Sequence, residues 1–327
     1  MRTIVVSRFG GPEVLTLTER PAPEPSRGEV RVRVRAAGVN RADIIQRLGR
    51  YPAPSDSPAV IVGMEFAGEV ESLCPGATAW NVGDRVFGLV GGGAYAEALV
   101  THERLLAAIP AGMSFTDAAA APEAFITAYD AMVVQGGLAM GETVLIHAAG
   151  SGVGTAAIEL ARAIGARSIG TARTADKIER AKQLGLGDGI VVTGASFAND
   201  VMRMTGGRGV DVVLELVGGD YVGEDLGSVV SEGRIILVGL MAGAATKLDL
   251  GAVLRKRVTL RGTVLRSRPL EQKLDAMVGF ARHVVPLLAS GALRPIVDRV
   301  VPLAEASAAH TYVESNQSFG KVILDCG

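Results

Sequence analysis

The chain has 327 residues, of which 48% are hydrophobic and 20% charged, and its net charge is −1. This length suits two domains of ~100–200 residues each, and the balanced charge argues against a nucleic-acid partner, which requires a basic face. With only two cysteines and four histidines, a disulfide framework and a four-cysteine zinc site are excluded, and we predict no metal site. We expect a soluble, cytoplasmic protein without a signal peptide or a membrane span.

The first third of the sequence contains short strands separated by turns. Residues 30–39 alternate apolar residues with arginine, a pattern typical of a strand with one buried and one solvated face. Prolines at positions 21, 23, 25, 52, 54 and 58 mark loops. These features predict a small β-barrel domain over residues 1–120.

The pattern changes near residue 115. Small apolar residues at helical spacing predict a helix over 115–135, and from residue 143 apolar strands alternate with amphipathic helices. Six strands with five crossovers predict an α/β fold, a doubly wound parallel sheet over residues 121–265. The predicted strands are 144–149, 168–172, 189–193, 210–217, 234–240 and 258–265, and the predicted helices are 153–164, 175–184, 196–204, 220–230 and 248–256.

The last part of the chain, residues 266–327, contains one long helix followed by two short strands. These strands are more similar to those of the first third than to the buried strands of the middle. We therefore expect this segment to complete the first domain.

A glycine-rich turn connects the first strand of the parallel sheet to a helix. Such a turn lets the backbone approach a pyrophosphate, which the helix N-terminus then stabilises. The strand before it and the helix after it supply the context that this motif requires. We predict dinucleotide binding rather than a purely structural turn, through residues Ala149, Gly150, Ser151, Gly152, Val153 and Gly154.

The end of the second strand indicates which dinucleotide binds. An NAD site places an acidic residue there to bind the ribose 2′-hydroxyl, but this chain has Ala172 followed by Arg173, Thr174 and Lys177. Cations and a hydroxyl suit a 2′-phosphate, so we predict NADPH as the cofactor. The alternative is a solvated turn in which Thr174 caps the next helix.

Seven short motifs, in the right order over nearly the whole length, carry a resemblance to a known family. They are the strings FGGPEVL (9–15), AGVNRAD (37–43), GRYP (49–52), GMEFAG (63–68), SGVGTAA (151–157), LRSR (265–268) and GKVI (320–323). The chain resembles the zinc-free quinone oxidoreductases of the medium-chain dehydrogenase/reductase superfamily, the zeta-crystallin type. Within it, the chain is most similar to the branch of the tumour-suppressor-inducible NADPH quinone oxidoreductase. The resemblance implies a GroES-like barrel domain and a Rossmann domain.

The resemblance also bears on zinc. Zinc-dependent relatives carry a cysteine ligand in the position of Asn40 and a histidine ligand in the position of Met64. An amide and a thioether do not replace a thiolate and an imidazole at zinc. We therefore expect direct hydride transfer to an electron-poor acceptor without a metal.

The remaining candidate residues follow from the resemblance. Asn40 and Tyr51 are implied to lie near nicotinamide and substrate, with Tyr51 donating a hydrogen bond or a proton to the acceptor. Alternatively, Tyr51 packs a proline-rich loop and Asn40 caps the following turn; Asp43 is expected to be structural, and His147 a satisfied core histidine. The further cofactor-binding residues implied by the resemblance are Thr127, Ser151, Val217, Gly218, Met241, Leu265 and Lys321.

Three functions follow from these interpretations. The first is an NADPH-dependent quinone reductase acting on a small electrophilic acceptor, and the second a double-bond reductase for enoyl or alkenal substrates. The third is a non-catalytic, cofactor-binding or RNA-associated protein, which the near-neutral charge and the few aromatic residues disfavour. A homodimer formed by edge pairing of strands is expected from the resemblance alone.

Overall fold

The protein, described by a computed structural model for residues 1–55 and 57–327, divides into two compact units. The first unit comprises Met1–Ile126 and Leu265–Gly327, and the second comprises Thr127–Val264. The boundaries therefore fall at 126 instead of the expected 120 and at 264 instead of 265. Among the described residues, no helix has both the length and the apolar character needed to cross a bilayer.

The first unit is built mainly on a β-sheet. Its strands are β1 (Arg2–Val6), β2 (Leu15–Glu19), β3 (Glu29–Val39), β4 (Glu65–Leu73), β5 (Arg85–Leu89), β6 (Ala98–His102), β7 (Leu106–Ala108), β14 (Val297–Pro302) and β15 (Lys321–Asp325). Its helices are α1 (Arg41–Arg47), α2 (Phe115–Ala119), α9 (Leu270–His283), α10 (Val285–Ala289) and α11 (Ala306–Glu314), and α3 (Pro122–Tyr129) begins in it. Short 3₁₀ turns occupy Pro12–Val14, Glu103–Leu105 and Leu303–Glu305.

The main sheet of the first unit has the order β14-β15-β3-β4-β5-β7, with β6 also paired to β3, and β1 and β2 form a separate hairpin. Strand β15 runs antiparallel to the end of β3, so the last part of the chain contributes to this sheet. Val30, Val32 and Val34 of β3 are buried in the core. The intervening arginines pair with glutamates of β4, as in the contact of 2.7 Å between Arg31 and Glu71.

The second unit is a parallel sheet with helices between its strands. The strands are β8 (Thr143–Ile146), β9 (Arg167–Ala172), β10 (Asp188–Val191), β11 (Val210–Glu215), β12 (Val229–Leu237) and β13 (Thr259–Gly262). The helices are α4 (Gly152–Ile164), α5 (Ala175–Gln183), α6 (Ala198–Met204), α7 (Tyr221–Ser228) and α8 (Leu250–Lys256). The strand order β10-β9-β8-β11-β12-β13 is that of a doubly wound dinucleotide-binding sheet, in which the order reverses beside the first strand.

The helices differ in part from the sequence expectations. The helix predicted over 115–135 is divided into α2, α3 and a π-helical segment, Asp130–Gln135. Pro122 begins α3 because proline lacks an amide hydrogen and disfavours helical geometry in the residue before it. Helix α11 was not predicted, because its short alanine-rich sequence carries only a weak amphipathic pattern.

Candidate functional site

The glycine turn, residues 149–154, lies between the end of β8 and the start of α4. Ser151 is the N-cap of α4, and its Oγ accepts a hydrogen bond of 3.0 Å from the Gly154 amide. A side chain at Gly154 would place Cβ 2.4 Å from the Ala148 carbonyl oxygen, so only glycine fits there. The first-turn amides of a helix have no acceptor within the helix, so those that the N-cap does not use are able to bind an anion at this end of the sheet.

The cationic segment lies at the equivalent end of the neighbouring strand. Arg173 and Thr174 are exposed just after β9, and the Thr174 hydroxyl accepts a hydrogen bond of 3.4 Å from the Lys177 amide as the N-cap of α5. The capping role considered for Thr174 is therefore present. Because β8 and β9 are adjacent and parallel, the glycine turn and this segment lie at the same edge of the sheet.

A buried carboxyl group shapes the loop after β11. Oε1 of Glu215 accepts hydrogen bonds from the amides of Val217 and Gly218, the latter at 2.8 Å. Gly218 has φ +74°, a left-handed conformation that favours glycine. Glu215 was missed at the sequence level, and it holds the backbone of two predicted cofactor-binding residues. Met241 is another predicted cofactor-binding residue, and its side chain is about half exposed.

Glu215 belongs to a histidine–carboxyl cluster formed with His147 and Asp225, and all three side chains are fully buried. The ring nitrogens of His147 lie 2.8 Å from Thr171 Oγ1 and 2.8 Å from Asp225 Oδ1. His147 is therefore a satisfied core histidine, as expected. Burial lowers the pKa of His147 to about 4 and raises the pKa of Glu215 and of Asp225 to about 8 each.

The same cluster is the group of potential metal ligands within the described residues, since its ligand atoms lie within 4.8 Å of one another. Its second carboxyl oxygens, Glu215 Oε2 and Asp225 Oδ2, are enclosed without a hydrogen-bond partner among the described residues if both groups are ionised. Protonation of either carboxyl supplies the missing donor, in agreement with the raised pKa values. A proton shared within the cluster is therefore sufficient to satisfy these oxygens.

In the first unit, Asn40 lies between β3 and α1 and joins a buried ion cluster with Glu65 and Lys321. Its Nδ2 donates to Glu65 Oε1 at 2.9 Å, and its Oδ1 accepts from Lys321 Nζ at 2.6 Å. Asn40 is also the N-cap residue of α1 and forms a capping box with Asp43, which accepts a hydrogen bond of 2.8 Å from the Asn40 amide. The capping role considered for Asn40 is therefore present beside its contacts with ionised groups.

Lys321 is 4% exposed and uses its ammonium group inside the first unit. Its Nζ contacts the Val39 carbonyl at 3.2 Å in addition to Asn40 Oδ1 and Glu65 Oε1. An ammonium has three hydrogens, so these contacts account for all of them. The ribose contact that the resemblance implies for Lys321 stays a prediction, and it would require one of these contacts to be exchanged.

Asp43 is a structural residue, as the sequence analysis expected. Besides Asn40, it accepts hydrogen bonds from the Gly63 amide at 3.2 Å and from the Tyr95 hydroxyl at 3.1 Å. Burial raises its pKa to about 6, against the lowering effect of the Asn40 amide. The carboxylate is thus ionised at neutral pH and fixes two backbone amides.

Three predicted residues remain: Tyr51 and Leu265 of the first unit and Thr127 of the second. Tyr51 is partly buried, and the guanidinium carbon of Arg266 lies 5.1 Å from its ring centroid. Burial raises the pKa of the Tyr51 phenol, which therefore keeps its proton. Thr127 is buried in α3, whereas Leu265 lines a cavity of the first unit.

Both halves of the chain match known families. Residues 26–111 match the Alcohol dehydrogenase GroES-like domain, and residues 152–281 match the Zinc-binding dehydrogenase family. With the strand order of the second unit, these matches confirm the expected fold class. The chain belongs to the medium-chain dehydrogenase/reductase superfamily.

Individual relatives have different names. The quinone oxidoreductase of Pseudomonas aeruginosa is 34% identical, over 99% of this chain and 99% of the relative. Erythronolide synthase EryA2 of Saccharopolyspora erythraea is 39% identical over 93% of this chain, which spans only 8% of that protein's length. The 2-haloacrylate reductase of a Burkholderia species is 31% identical, with 98% of this chain and 97% of the relative covered.

A solved structure is similar over the full length. The Escherichia coli quinone oxidoreductase complexed with NADPH has a TM-score of 0.90 and is 30% identical, with 100% of each chain covered. The likeness thus extends to both units, including the sheet that carries the glycine turn.

Proposed function

We propose that the protein is an NADPH-dependent oxidoreductase that transfers a hydride to a quinone without zinc. The observation that carries this proposal is the glycine turn, which joins β8 to α4 at the point where the strand order of the sheet reverses. The similarity to quinone oxidoreductases, one of them complexed with NADPH, supports the choice of cofactor and acceptor.

The second unit offers groups for each part of the cofactor. The amides of residues 149–154 suit the pyrophosphate, and Arg173, Thr174 and Lys177 suit the 2′-phosphate because they offer positive charge and a hydroxyl. Val217 and Gly218, whose amides Glu215 fixes, suit the nicotinamide together with Thr127 and Met241. The exposed position of Arg173 leaves its guanidinium accessible to a phosphate.

The groups at the position of the zinc site do not fit a zinc ion. Met64 offers a buried thioether, and both ends of the Asn40 amide are used by Glu65 and Lys321. The Lys321 ammonium already supplies the positive charge beside Glu65. A zinc ion would have to displace this cation and accept ligands of low affinity.

The chain's own residues would orient the acceptor. A bound reduced nicotinamide supplies the hydride, and a conjugated carbonyl accepts it because its π system spreads the developing charge. The protonated phenol of Tyr51 can donate a hydrogen bond to the carbonyl oxygen. Tyr51→Phe is therefore expected to lower kcat for the acceptor while leaving NADPH affinity unchanged.

Oxidation of NADPH, followed by its absorbance with 1,4-benzoquinone and 2-alkenals as acceptors, tests the proposal. We expect turnover of the quinone, with NADPH preferred over NADH. Absence of quinone turnover would reject the quinone reductase. Tight, salt-sensitive RNA binding without any turnover would instead support the non-catalytic alternative.

A double-bond reductase is the second candidate, and the similarity to 2-haloacrylate reductase favours it. A 2-haloacrylate carries a carbon–carbon double bond conjugated to a carboxylate. Hydride addition therefore places negative charge on oxygen, as it does in an enone, but adds it to a group that is already anionic. Turnover of the alkenals or of 2-chloroacrylate, without turnover of the quinone, would support this function.

We propose a homodimer in the cytoplasm. Strand β13 forms an edge of the parallel sheet, and all four of its residues are exposed, which suits pairing with a second copy. Light scattering coupled to gel filtration tests the dimer. A monomer at micromolar concentration would contradict it.

A further inference from the structure

A cavity of about 290 Å³ lies within the first unit. For comparison, a cavity of ~150 Å³ accommodates benzene, so this one has room for a single ring with a short substituent. Met64, Ile126 and Leu265 contribute apolar walls, whereas Glu123 and Arg266 contribute charged groups. A mostly apolar cavity with a few converging polar groups is typical of a small-molecule site.

Arg266 is held at this cavity by neutral groups. Its side chain is 7% exposed; Nε donates to the Gly91 carbonyl at 2.7 Å and Nη2 donates to Gln46 Oε1 at 2.6 Å. Among residues 1–55 and 57–327, no group accepts a hydrogen bond from Nη1. Asp43 and Glu123 act on the guanidinium charge through space, but among the described residues neither carboxyl is hydrogen-bonded to it. Arg266 therefore brings to the cavity a positive charge without a directly bonded carboxylate and one N–H donor without an acceptor.

Glu123 faces the same cavity from the first turn of α3. Its backbone amide donates to Glu65 Oε2 at 2.8 Å, which fixes the start of the helix. Burial, reinforced by the charge of Glu65, raises the pKa of the Glu123 carboxyl to about 7. The carboxyl thus holds a proton in an appreciable fraction of molecules at neutral pH.

We propose that this cavity is the acceptor site, in which Arg266 binds the oxygen of a conjugated carbonyl or carboxylate substrate and Glu123 supplies the proton. The proposal rests on the proposed function, since it concerns the acceptor of the same reaction. Arg266 and Glu123 then have complementary roles, because an oxyanion needs a donor as it forms and a proton afterwards.

The chemical step balances with these groups. The hydride leaves the reduced nicotinamide with the two electrons of the C–H bond that breaks. It forms a C–H bond at the β-carbon of an enone or an O–H bond at one oxygen of a quinone; the conjugated π electrons shift, and the remaining carbonyl oxygen becomes an enolate or hydroquinone anion. The guanidinium stabilises this anion. The O–H bond of Glu123 then breaks, its proton moves to the oxygen anion, and water returns a proton to the carboxylate.

Binding of benzoate and benzamide, measured by calorimetry without cofactor, tests the role of Arg266 independently of turnover. The two probes have the same shape and differ in charge. At pH 6 we expect benzoate to bind at least 10-fold more tightly than benzamide, and we expect Arg266→Gln to abolish this preference while Arg266→Lys retains part of it. Arg282→Gln, which removes an exposed charge from α9, serves as the control. Equal affinity for both probes in the unmodified protein would overturn the proposal.

The pH dependence of benzoate binding tests Glu123. Ionisation of Glu123 as the pH rises from 6 to 8 places a negative charge beside the ligand, so benzoate affinity should fall. Other charged groups also surround this site: His102, Glu29 and Lys273 line the cavity, and Asp43, Glu65 and Lys321 act on Glu123 from neighbouring elements. The variant Glu123→Gln separates these contributions: if benzoate affinity no longer falls between pH 6 and 8 in this variant, the fall is assigned to Glu123. A fall of equal size in this variant would overturn the assignment.

Steady-state kinetics complete the test. Glu123→Gln is expected to lower kcat at least 10-fold and to remove the decline of kcat above pH 7, while NADPH affinity is retained. Glu271→Gln, an exposed glutamate in the first turn of α9, is the matched control. If the unmodified protein turns over no acceptor, the proposed function fails; if it turns over acceptors and Glu123→Gln matches it in rate and pH profile, only the role of Glu123 fails.

Discussion

The two units stabilise their buried polar groups in opposite ways. In the first unit, the buried ion cluster pairs the Glu65 carboxylate with the Lys321 ammonium, and Asp43 is satisfied by three donors. In the second unit, the histidine–carboxyl cluster holds no cation, and burial favours the neutral form of each member. Ionised groups therefore stabilise the region around Lys321 and Asp43 in the first unit. In the second unit, carboxyl groups that keep their protons stabilise the loop after β11.

The largest expected effect comes from removal of the buried cation. Lys321→Met removes the ammonium group that contacts Glu65 and leaves this buried carboxyl with the hydrogen bonds from Asn40 and the Glu123 amide. Removal of one partner of a buried ion pair typically costs about 3–5 kcal/mol. We expect urea unfolding to reveal a loss of this size. Lys182→Met, at an exposed pair with Glu179, should cost less than about 1 kcal/mol. Similar losses in the two variants would contradict the charge-based account of the first unit.

A second comparison makes the same substitution in each unit. Asp43→Asn places an amide NH₂ against groups that are all donors, so we expect a loss of about 1–3 kcal/mol in the free energy of unfolding. Asp225→Asn keeps an acceptor for His147 and a donor for Glu215, so its loss should stay below about 1 kcal/mol. Chemical denaturation at pH 7.5 measures both. A reversed order would mean that Asp225 is ionised.

Positive charges near the surface of the second unit should affect cofactor binding and leave the free energy of unfolding unchanged. Replacement of Arg173 and Lys177 together by glutamine is expected to raise the KM for NADPH at least 10-fold, equivalent to ~1.4 kcal/mol. The KM for NADH should change less than about twofold. Lys182→Gln on the same helix is the control. Equal effects on both cofactors would exclude a 2′-phosphate role.

A pH dependence of the second unit provides a further comparison. The pKa of Glu215 and of Asp225 is raised on folding, so their stabilising contribution is lost as the pH rises towards 8. His147 has a lowered pKa and acts in the opposite direction, but only below about pH 6.5. Amide exchange in β11 should therefore indicate lower stability at pH 8 than at pH 6.5.

The variant Asp225→Asn serves as the internal control for this experiment. It removes one of the two carboxyl groups that bind a proton on folding. The change in stability of β11 between pH 6.5 and 8 should therefore become smaller. An unchanged slope would assign the pH dependence to other groups.

Local patterns in the sequence predicted the sheet and its glycine turn well. Apolar runs of strand length are visible directly, and the capping contact between Ser151 and Gly154 spans only three residues. Strand ends were less predictable: β8 stops at Ile146 because the backbone turns at Ala148, with φ +48°. A positive φ is uncommon for alanine, so the residue type does not predict this turn.

The buried clusters could not be predicted because their members are distant in the sequence. Asn40 and Lys321 meet only when β15 pairs with β3, and His147 meets Asp225 only when β8 and β11 are adjacent. Glu123 and Arg266 carry no motif that points to a shared cavity. Their relation follows from tertiary structure alone.

The pairing of β15 with β3 also has a consequence for synthesis on the ribosome. Strand β3 has left the exit tunnel long before β15 is translated, and all of the second unit is made in between. The second unit has a contiguous sequence and can fold first, since domains fold as units during translation. The first unit cannot complete its sheet until β15 pairs with β3. Because these strands are far apart in the sequence, we expect the first unit to fold more slowly. Until this pairing forms, residues 36–39 of β3 lack their partner strand along one edge, and an unpaired strand edge is prone to aggregation.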